Sequence, residues 1–225
     1  MLSSKEMKLK FLGKSHQTGD VWTFSFAVPV GKTWLAGQSI RLELPVGYDI
    51  EEKRFTISSA PAEDRLDITT SLSGSKFKNH LDRIRSGQMI EAQSIEGDFT
   101  WSDDSRPKVL VASGIGITPF RAIIKQLEFA GEDLNFSLIY ADRRNQLVFE
   151  DWLSGLAKHH SAFKLSLIRG RRLQIGDIVL QPNSLVYLSG PSTMVHQLSR
   201  QLIDNGVAEQ DIKRDSFTGS PGWIG

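Results

Sequence analysis

A chain of 225 residues, 40% apolar and 24% charged, is long enough for one or two sizeable cores, and its 27 basic and 26 acidic side chains leave a net charge of +1. Neither half carries the basic excess of a nucleic-acid binder, so no nucleic-acid partner is expected. The cysteine count of zero excludes disulfides, thiolate nucleophiles and cysteine-ligated clusters within the chain. The five histidines, His16, His80, His159, His160 and His196, show no ligand spacing, so no metal site is expected. No apolar run is long enough to span a membrane, and Met-Leu-Ser-Ser-Lys-Glu at the start lacks a signal-peptide apolar region. The expectation is a cytoplasmic protein.

From Met7 to about Phe99 the apolar residues recur with period two. Trp22, Phe24 and Phe26 share one face, as do Ile40, Leu42 and Leu44, and again Leu66, Ile68 and Leu72. Turn signals at Pro29-Val-Gly31, Pro45-Val-Gly47 and Ala60-Pro61 separate these runs. The pattern predicts a closed or nearly closed antiparallel barrel. One helix interrupts it over 76–84, with Phe77, Leu81 and Ile84 on a single stripe.

Two segments of this half bear chemistry. In Lys53-Arg54-Phe55-Thr56-Ile57-Ser58-Ser59, Phe55 and Ile57 share one strand face and Arg54 and Thr56 the other. The run reads either as an amphipathic strand with a solvated Lys-Arg pair or as a surface for a planar ring bearing a phosphate. Gly74-Ser-Lys-Phe-Lys-Asn79 enters the helix with cations near its positive dipole end, which is tolerated as exposed charge or compensated by a bound anion.

Beyond the polar linker Asp103–Pro107 the period changes. Strands are predicted over 108–112, 135–140, 163–168, 184–189 and 212–217, and helices over 119–130, 149–158 and 192–205. Alternation of this kind implies a parallel sheet with helices on both faces and ligands at the carboxyl ends of the strands. At the first such end lies Ser113-Gly-Ile-Gly-Ile-Thr-Pro-Phe120, with Thr118 as expected N-cap and Pro119 as first helical residue. Gly114 and Gly116 would let a phosphate approach the helix N-terminus, although a tight turn without a ligand has the same sequence signature. The other strand ends carry Tyr140–Arg144, Arg169-Gly-Arg171-Arg172 and Ser189-Gly190-Pro191. The arginines read either as a solvated basic turn or as guanidinium groups for a 2′-phosphate.

Taken together, the motifs resemble the ferredoxin–NADP⁺ reductase superfamily over nearly the whole chain. The resemblance implies a two-domain protein, an antiparallel β-barrel flavin-binding domain at 1–103 and an α/β parallel-sheet NAD(P)-binding domain at 108–225. Lys53-Arg54-Phe55-Thr56 is similar to the flavin motif R-x-[YF]-[ST], with lysine at its first position and the arginine one place late. The resemblance implies that Phe55 covers a flavin face, that Thr56 bonds near N5, and that Gly74, Phe77, Lys78 and Asn79 attend the flavin pyrophosphate. Gln38 after Gly37 and the Gly97-Asp-Phe99 run also fit the family's barrel. Gly114-x-Gly116-x-x-Pro119 matches the nucleotide-pyrophosphate turn, and Tyr140-Ala-Asp-Arg143 the strand end flanking the adenosine. Ser189-Gly190-Pro191 with Met194 matches C-G-P-x-x-M with serine for cysteine near the nicotinamide. Asp215 and Phe217 take the places of a carboxylate and an aromatic near the flavin. Trp223, beyond them, either stacks on the exposed flavin face or packs on the barrel.

The function so implied is a flavin-dependent NAD(P)H oxidoreductase with Thr56, Ser189 and Asp215 as catalytic candidates. Hydride from NADP(H) or NAD(H) would pass to FAD, rather than FMN, and electrons onward to an external acceptor such as ferredoxin, flavodoxin or a partner subunit. Alternatives are an NAD(P)H:flavin reductase using flavin as substrate and a non-catalytic electron-docking or regulatory module.

Overall fold

A computed structural model describes residues 7–72 and 74–217, which fall into two units. Of the described residues, the first gathers those up to Trp101 together with Arg121–Gln126, and the second Ser102–Phe120 and those from Leu127 to Phe217.

In the first unit six strands form one antiparallel sheet: β1 (Met7–Thr18), β2 (Val21–Ala27), β3 (Ser39–Val46), β4 (Asp49–Thr56), β5 (Arg65–Ser71) and β6 (Met89–Ala92). Their order is β4-β3-β6-β1-β2-β5. The two outer strands meet just past the end of β4, where Ile57 bridges Ile68 and the Ser58 N–H donates to the Asp67 carbonyl at 2.8 Å. The sheet thus closes on itself and leaves few unpaired edges. Register places like with like: Phe24 faces Ile68, Phe26 faces Leu66 and Leu42 faces Ala92. Each of these six side chains is buried, and burial of a large apolar side chain contributes roughly 1.5–3 kcal/mol. Helix α1 (Lys76–Arg83) buries Phe77 and Leu81 in the same core, and Ser75 caps it by accepting the Lys78 N–H at 3.2 Å. The barrel loop fits the motifs read from sequence. A Cβ on Gly37 would fall 2.0 Å from the Phe99 carbonyl oxygen, and Gln38 Nε2 donates to the Gly97 carbonyl at 3.1 Å.

A polar layer lies on the far side of β2 and β5. Ser58 Oγ, Thr69 Oγ1 and Thr23 Oγ1 form a chain with 2.8 Å links, and Ser25 Oγ donates to Asp67 Oδ1 at 2.7 Å. Buried hydroxyls are satisfied by one another, as burial requires. Within this unit Arg121 donates to the Ser58 carbonyl at 3.0 Å and to both oxygens of Glu63, whose Oε2 also accepts the Ala60 N–H at 2.8 Å. The chain that follows β4 is therefore tied down at Ser58, Ala60 and Glu63.

The second unit has a parallel sheet of order β11-β10-β7-β8-β9. The elements of this part of the chain are β7 (Lys108–Ser113), α2 (Ile117–Ala130, whose residues 121–126 count with the first unit), β8 (Ser137–Asp142), α3 (Glu150–His159), β9 (Lys164–Arg169), β10 (Leu185–Pro191), α4 (Ser192–Asp204) and β11 (Ile212–Phe217). Consecutive residues Val109, Leu110, Val111 and Ala112 are all buried, so both faces of the sheet are covered. On one face Val109, Val111, Val186 and Leu188 pack with Val195, Leu198 and Leu202 of α4. After β7 the chain adds strands on one side, then returns to place β10 on the other. That reversal is the topological switch point where open α/β sheets bind ligands.

Thr118 is not the N-cap expected from the sequence. The chain leaves β7 through a 3-10 turn at Gly114–Gly116, and α2 begins at Ile117 with Thr118 already inside it. The Thr118 hydroxyl instead donates to the Ile115 carbonyl at 3.0 Å. Pro119 has no N–H to offer that carbonyl, its i−4 partner, and the threonine hydroxyl makes up the loss. Pro119 is the third helical residue rather than the first, still within the turn where a missing N–H is tolerated.

Candidate functional site

Two constellations arise, one in each unit. In the barrel, β4 pairs antiparallel with β3 so that Lys53 lies opposite Leu42 and Phe55 opposite Ile40, while Arg54 lies opposite Arg41. Residues directly opposite share a face, so Lys53 and Phe55 belong to the side that carries the core. Both are partly buried, and Arg54 is exposed on the reverse side. Lys53 Nζ donates to Ser75 Oγ at 2.8 Å and stands 5.5 Å above the Phe77 ring. The Phe55 and Phe77 rings lie 5.9 Å apart at a tilt of 36°. Strand segment and helix entry, separated by about twenty residues in sequence, are thereby drawn into one patch.

This patch has the composition of an anion-and-ring site. The first turn of α1 holds no acidic residue, while Lys76 and Lys78 stand in it and Lys53 is brought to its cap. Cations gathered at the positive end of a helix raise the local potential and favour a bound anion. Gly74, Lys78 and Asn79 line the approach, with Gly74 and Asn79 exposed. Ser75, which links Lys53 to the helix, was not among the residues singled out from the sequence. Its signal was there, a hydroxyl residue directly before a helical pattern. Thr56 is partly buried opposite Ser39 on the other face. Ile57 is fully buried, and the Ser58 hydroxyl is bonded to the Asp67 carbonyl and Thr69.

In the second unit the switch point brings together the carboxyl ends of β7 and β10. Gly114 has φ of +55°, which starts the turn in a left-handed conformation open to glycine. A Cβ on Gly116 would fall 2.2 Å from the Ser189 carbonyl oxygen and 2.8 Å from the Gly190 Cα. The absent side chain therefore admits the neighbouring strand end, whereas the sequence alone left open a tight turn and an approach by a phosphate. Gly190 is as tightly held, against Ser113 and Met194. Ser189 is fully buried, pairs in register with Asp215, and donates from Oγ to Asp215 Oδ2 at 3.2 Å. Pro191 and Phe217 are paired at the ends of the same two strands. Trp223 lies outside the described residues.

Further along the same edge, Asp142 ends β8 fully inside the fold and accepts the N–H groups of Arg144 and Gln146 at 2.7 and 3.0 Å. The Tyr140 hydroxyl accepts the Val148 N–H at 3.0 Å, and burial pushes that phenol well above its ordinary range. Arg143 is partly buried in the loop so anchored. Arg169 is held against Glu150, with Nη1 2.8 Å from Oε2 and Nη2 on Oε1. Arg171 forks onto Asp177 at 2.7 and 2.6 Å, and Arg172 is exposed beside it. These hydrogen bonds hold both carboxyls below the usual carboxylate range. Neither acid was identified from the sequence, because each pair joins residues on different elements.

No family model matches the chain. Over 91% of its length it is 26% identical to a flavohemoprotein from Pseudomonas aeruginosa, of which it covers 57%. The chain thus spans about three-fifths of the length of the curated flavohemoproteins it matches. A crystal structure of the flavohem-like FAD/NAD-binding domain of nitric oxide dioxygenase from Vibrio cholerae superposes with a TM-score of 0.83 at 20% identity, covering 94% of this chain and 98% of that one. A ferredoxin NADP⁺ reductase from Neisseria gonorrhoeae, solved with bound FAD and NADP, gives 0.82 at 22% identity, with 95% and 99% covered. The resemblance read from the motifs is borne out in the fold, a six-stranded antiparallel sheet followed by a five-stranded parallel sheet with helices.

Proposed function

We propose that this chain, which has the ferredoxin–NADP⁺ reductase fold, is a flavin-dependent NAD(P)H oxidoreductase that delivers electrons to an external acceptor such as ferredoxin, flavodoxin or a partner subunit. The observation that carries the reading is the meeting of Lys53 and Phe55 with Ser75 and Phe77 in the barrel unit. A cation, an aromatic face and a helix N-terminus without acids suit the phosphate and ring of a flavin nucleotide. When bound, FAD would accept a hydride from a reduced nicotinamide and release electrons onward.

The residues present divide the work. Lys53, sharing the face of Phe55, serves as the phosphate cation in place of the family's arginine, with Lys78 and the N-terminus of α1 beside it. Arg54 stands on the reverse face and is left out of that role. Phe55, backed by the fully buried Phe77, supplies aromatic surface, and Thr56 the hydrogen bond near the reacting ring. In the second unit, Gly114–Pro119 and Gly190-Pro191 cradle the nicotinamide nucleotide at the switch point. Asp215 accepts from the fully buried Ser189 hydroxyl and so ties the carboxyl ends of β10 and β11 together, which fixes the Gly190-Pro191 turn that follows. With no cysteine, the chain holds no cysteine-ligated iron–sulfur centre of its own, and the second electron carrier is another protein or domain. No helix among the described residues is long and apolar enough to cross a membrane. A cytoplasmic location is part of the proposal.

Anaerobic addition of NADH or NADPH to the purified, flavin-loaded protein tests the reading. Bleaching of the flavin absorbance is expected, and an unchanged spectrum with both nucleotides refutes it.

A further inference from the structure

The carboxyl edge of the parallel sheet carries five arginines, Arg143, Arg144, Arg169, Arg171 and Arg172, at the ends of β8 and β9. By charge alone this edge invites a phosphate, and a 2′-phosphate on the adenosine ribose would be its natural ligand. The geometry says otherwise for two of the five. Arg169 spends both terminal nitrogens on Glu150, and Nη1 also reaches Asn145 Oδ1 at 3.4 Å. Arg171 spends both on Asp177, and Nη1 also reaches the Arg172 carbonyl at 3.1 Å. A phosphate that takes the same end-on fork has to displace a carboxylate, and one that approaches the Nε side meets a guanidinium whose charge is already balanced by a carboxylate.

Both carboxylates are prepared for the task. Asp177 closes a 3-10 turn, Ile175–Asp177, and accepts the Gln174 N–H at 2.8 Å with the same Oδ2 that receives Arg171. It is held in place whether or not the arginine is present. Glu150 is the first residue of α3, at the positive end of that helix, where a carboxylate is favoured. Exposed ion pairs are ordinarily weak, but paired forks with a preset partner belong to the stronger end of the range.

We infer that Glu150 and Asp177 are specificity-determining residues that turn this edge against a 2′-phosphate, so that the chain takes NADH in preference to NADPH. The inference rests on the nicotinamide-nucleotide reading above. Its test is calorimetric titration of the purified protein with 5′-AMP and with 2′,5′-ADP, which needs no flavin chemistry. The wild-type chain should bind 5′-AMP at least as tightly as the 2′-phosphorylated form. The double variant E150Q/D177N should shift the ratio toward 2′,5′-ADP by about tenfold, the scale of one charge-assisted bidentate contact. E150Q alone, at a partly buried helix terminus, should shift it in the same direction by less and guards against misfolding of the double variant. Tighter wild-type binding of 2′,5′-ADP, or an unaltered ratio in both variants, overturns the inference while leaving the oxidoreductase reading intact. Absence of binding by either nucleotide removes both.

Discussion

An alanine at position 116 would place its Cβ 2.2 Å from the Ser189 carbonyl oxygen, 2.5 Å from that carbonyl carbon and 2.8 Å from the Gly190 Cα. All three neighbours are backbone, so no side chain can swing aside to relieve the clash. Overpacking typically costs about 1–3 kcal/mol, and a clash with backbone belongs at or above the upper end of that range. In a chain of this size each kcal/mol moves the melting temperature by roughly 2–4 °C, which predicts a loss of about 6–12 °C for Gly116→Ala. Two further glycines calibrate the result. Gly131 has φ of +70°, and a Cβ added there would find nothing within 4 Å, so alanine meets backbone strain alone, about 1 kcal/mol. Gly155 lies inside α3 in open space, and alanine should stabilise by about 0.5–1 kcal/mol. Thermal unfolding followed by circular dichroism should rank the three as 155 above wild type, then 131, then 116 well below. If Gly116→Ala melts within a degree or two of Gly131→Ala, the turn does not depend on close approach of β10 and the proposed nucleotide cradle is wrongly built.

Other expectations follow from the same geometry. Lys53→Met should weaken flavin retention by about tenfold, and Arg54→Met by much less, as measured by flavin fluorescence on dilution; equal losses would contradict the assignment of faces. Asp215→Ala leaves the fully buried Ser189 hydroxyl without its carboxylate acceptor, at a cost of about 1–3 kcal/mol, and should slow flavin reduction in stopped flow more than it weakens nucleotide affinity. Because the Asp177 carboxyl titrates below its ordinary value, its pair with Arg171 contributes above the unfolded-state pKa and is lost as pH falls through the lowered folded value. The difference in melting temperature between wild type and Asp177→Asn should therefore be present at neutral pH and shrink as pH falls below the ordinary carboxylate range, and a difference that does not change with pH would show that the charge plays no part.

Strict alternation made β2, β3 and β5 readable from sequence, because each presents apolar residues to the core and polar ones away from it. The four-residue β6 and the polar start of β4 escaped it, since Asp49–Glu52 carries no apolar face to mark. The strand-turn-helix at Ser113–Phe120 was legible as a motif, but not its internal logic. Proline and threonine suggested a helix start two residues late, and only the packing of β10 shows which neighbour Gly116 admits. Sequence also left Lys53 and Arg54 equivalent, since a strand's two faces are told apart by the partner's register and not by the strand itself. The arginine cluster shows the reverse limit. Its cations were visible in a single run of four residues, whereas Glu150 and Asp177, which pair with two of them, come from other elements and are found only when the chain is folded.

If the barrel unit holds a flavin that a nicotinamide nucleotide reduces, one titration should show it. The flavin-loaded protein is titrated anaerobically with NADH and NADPH in parallel and followed at the flavin absorbance maximum. Complete bleaching is expected at about one equivalent of either nucleotide, and faster with NADH than with NADPH at equal concentration. A flavin that stays oxidised in the presence of both would show that the protein is not a nicotinamide-dependent flavin reductase of any kind.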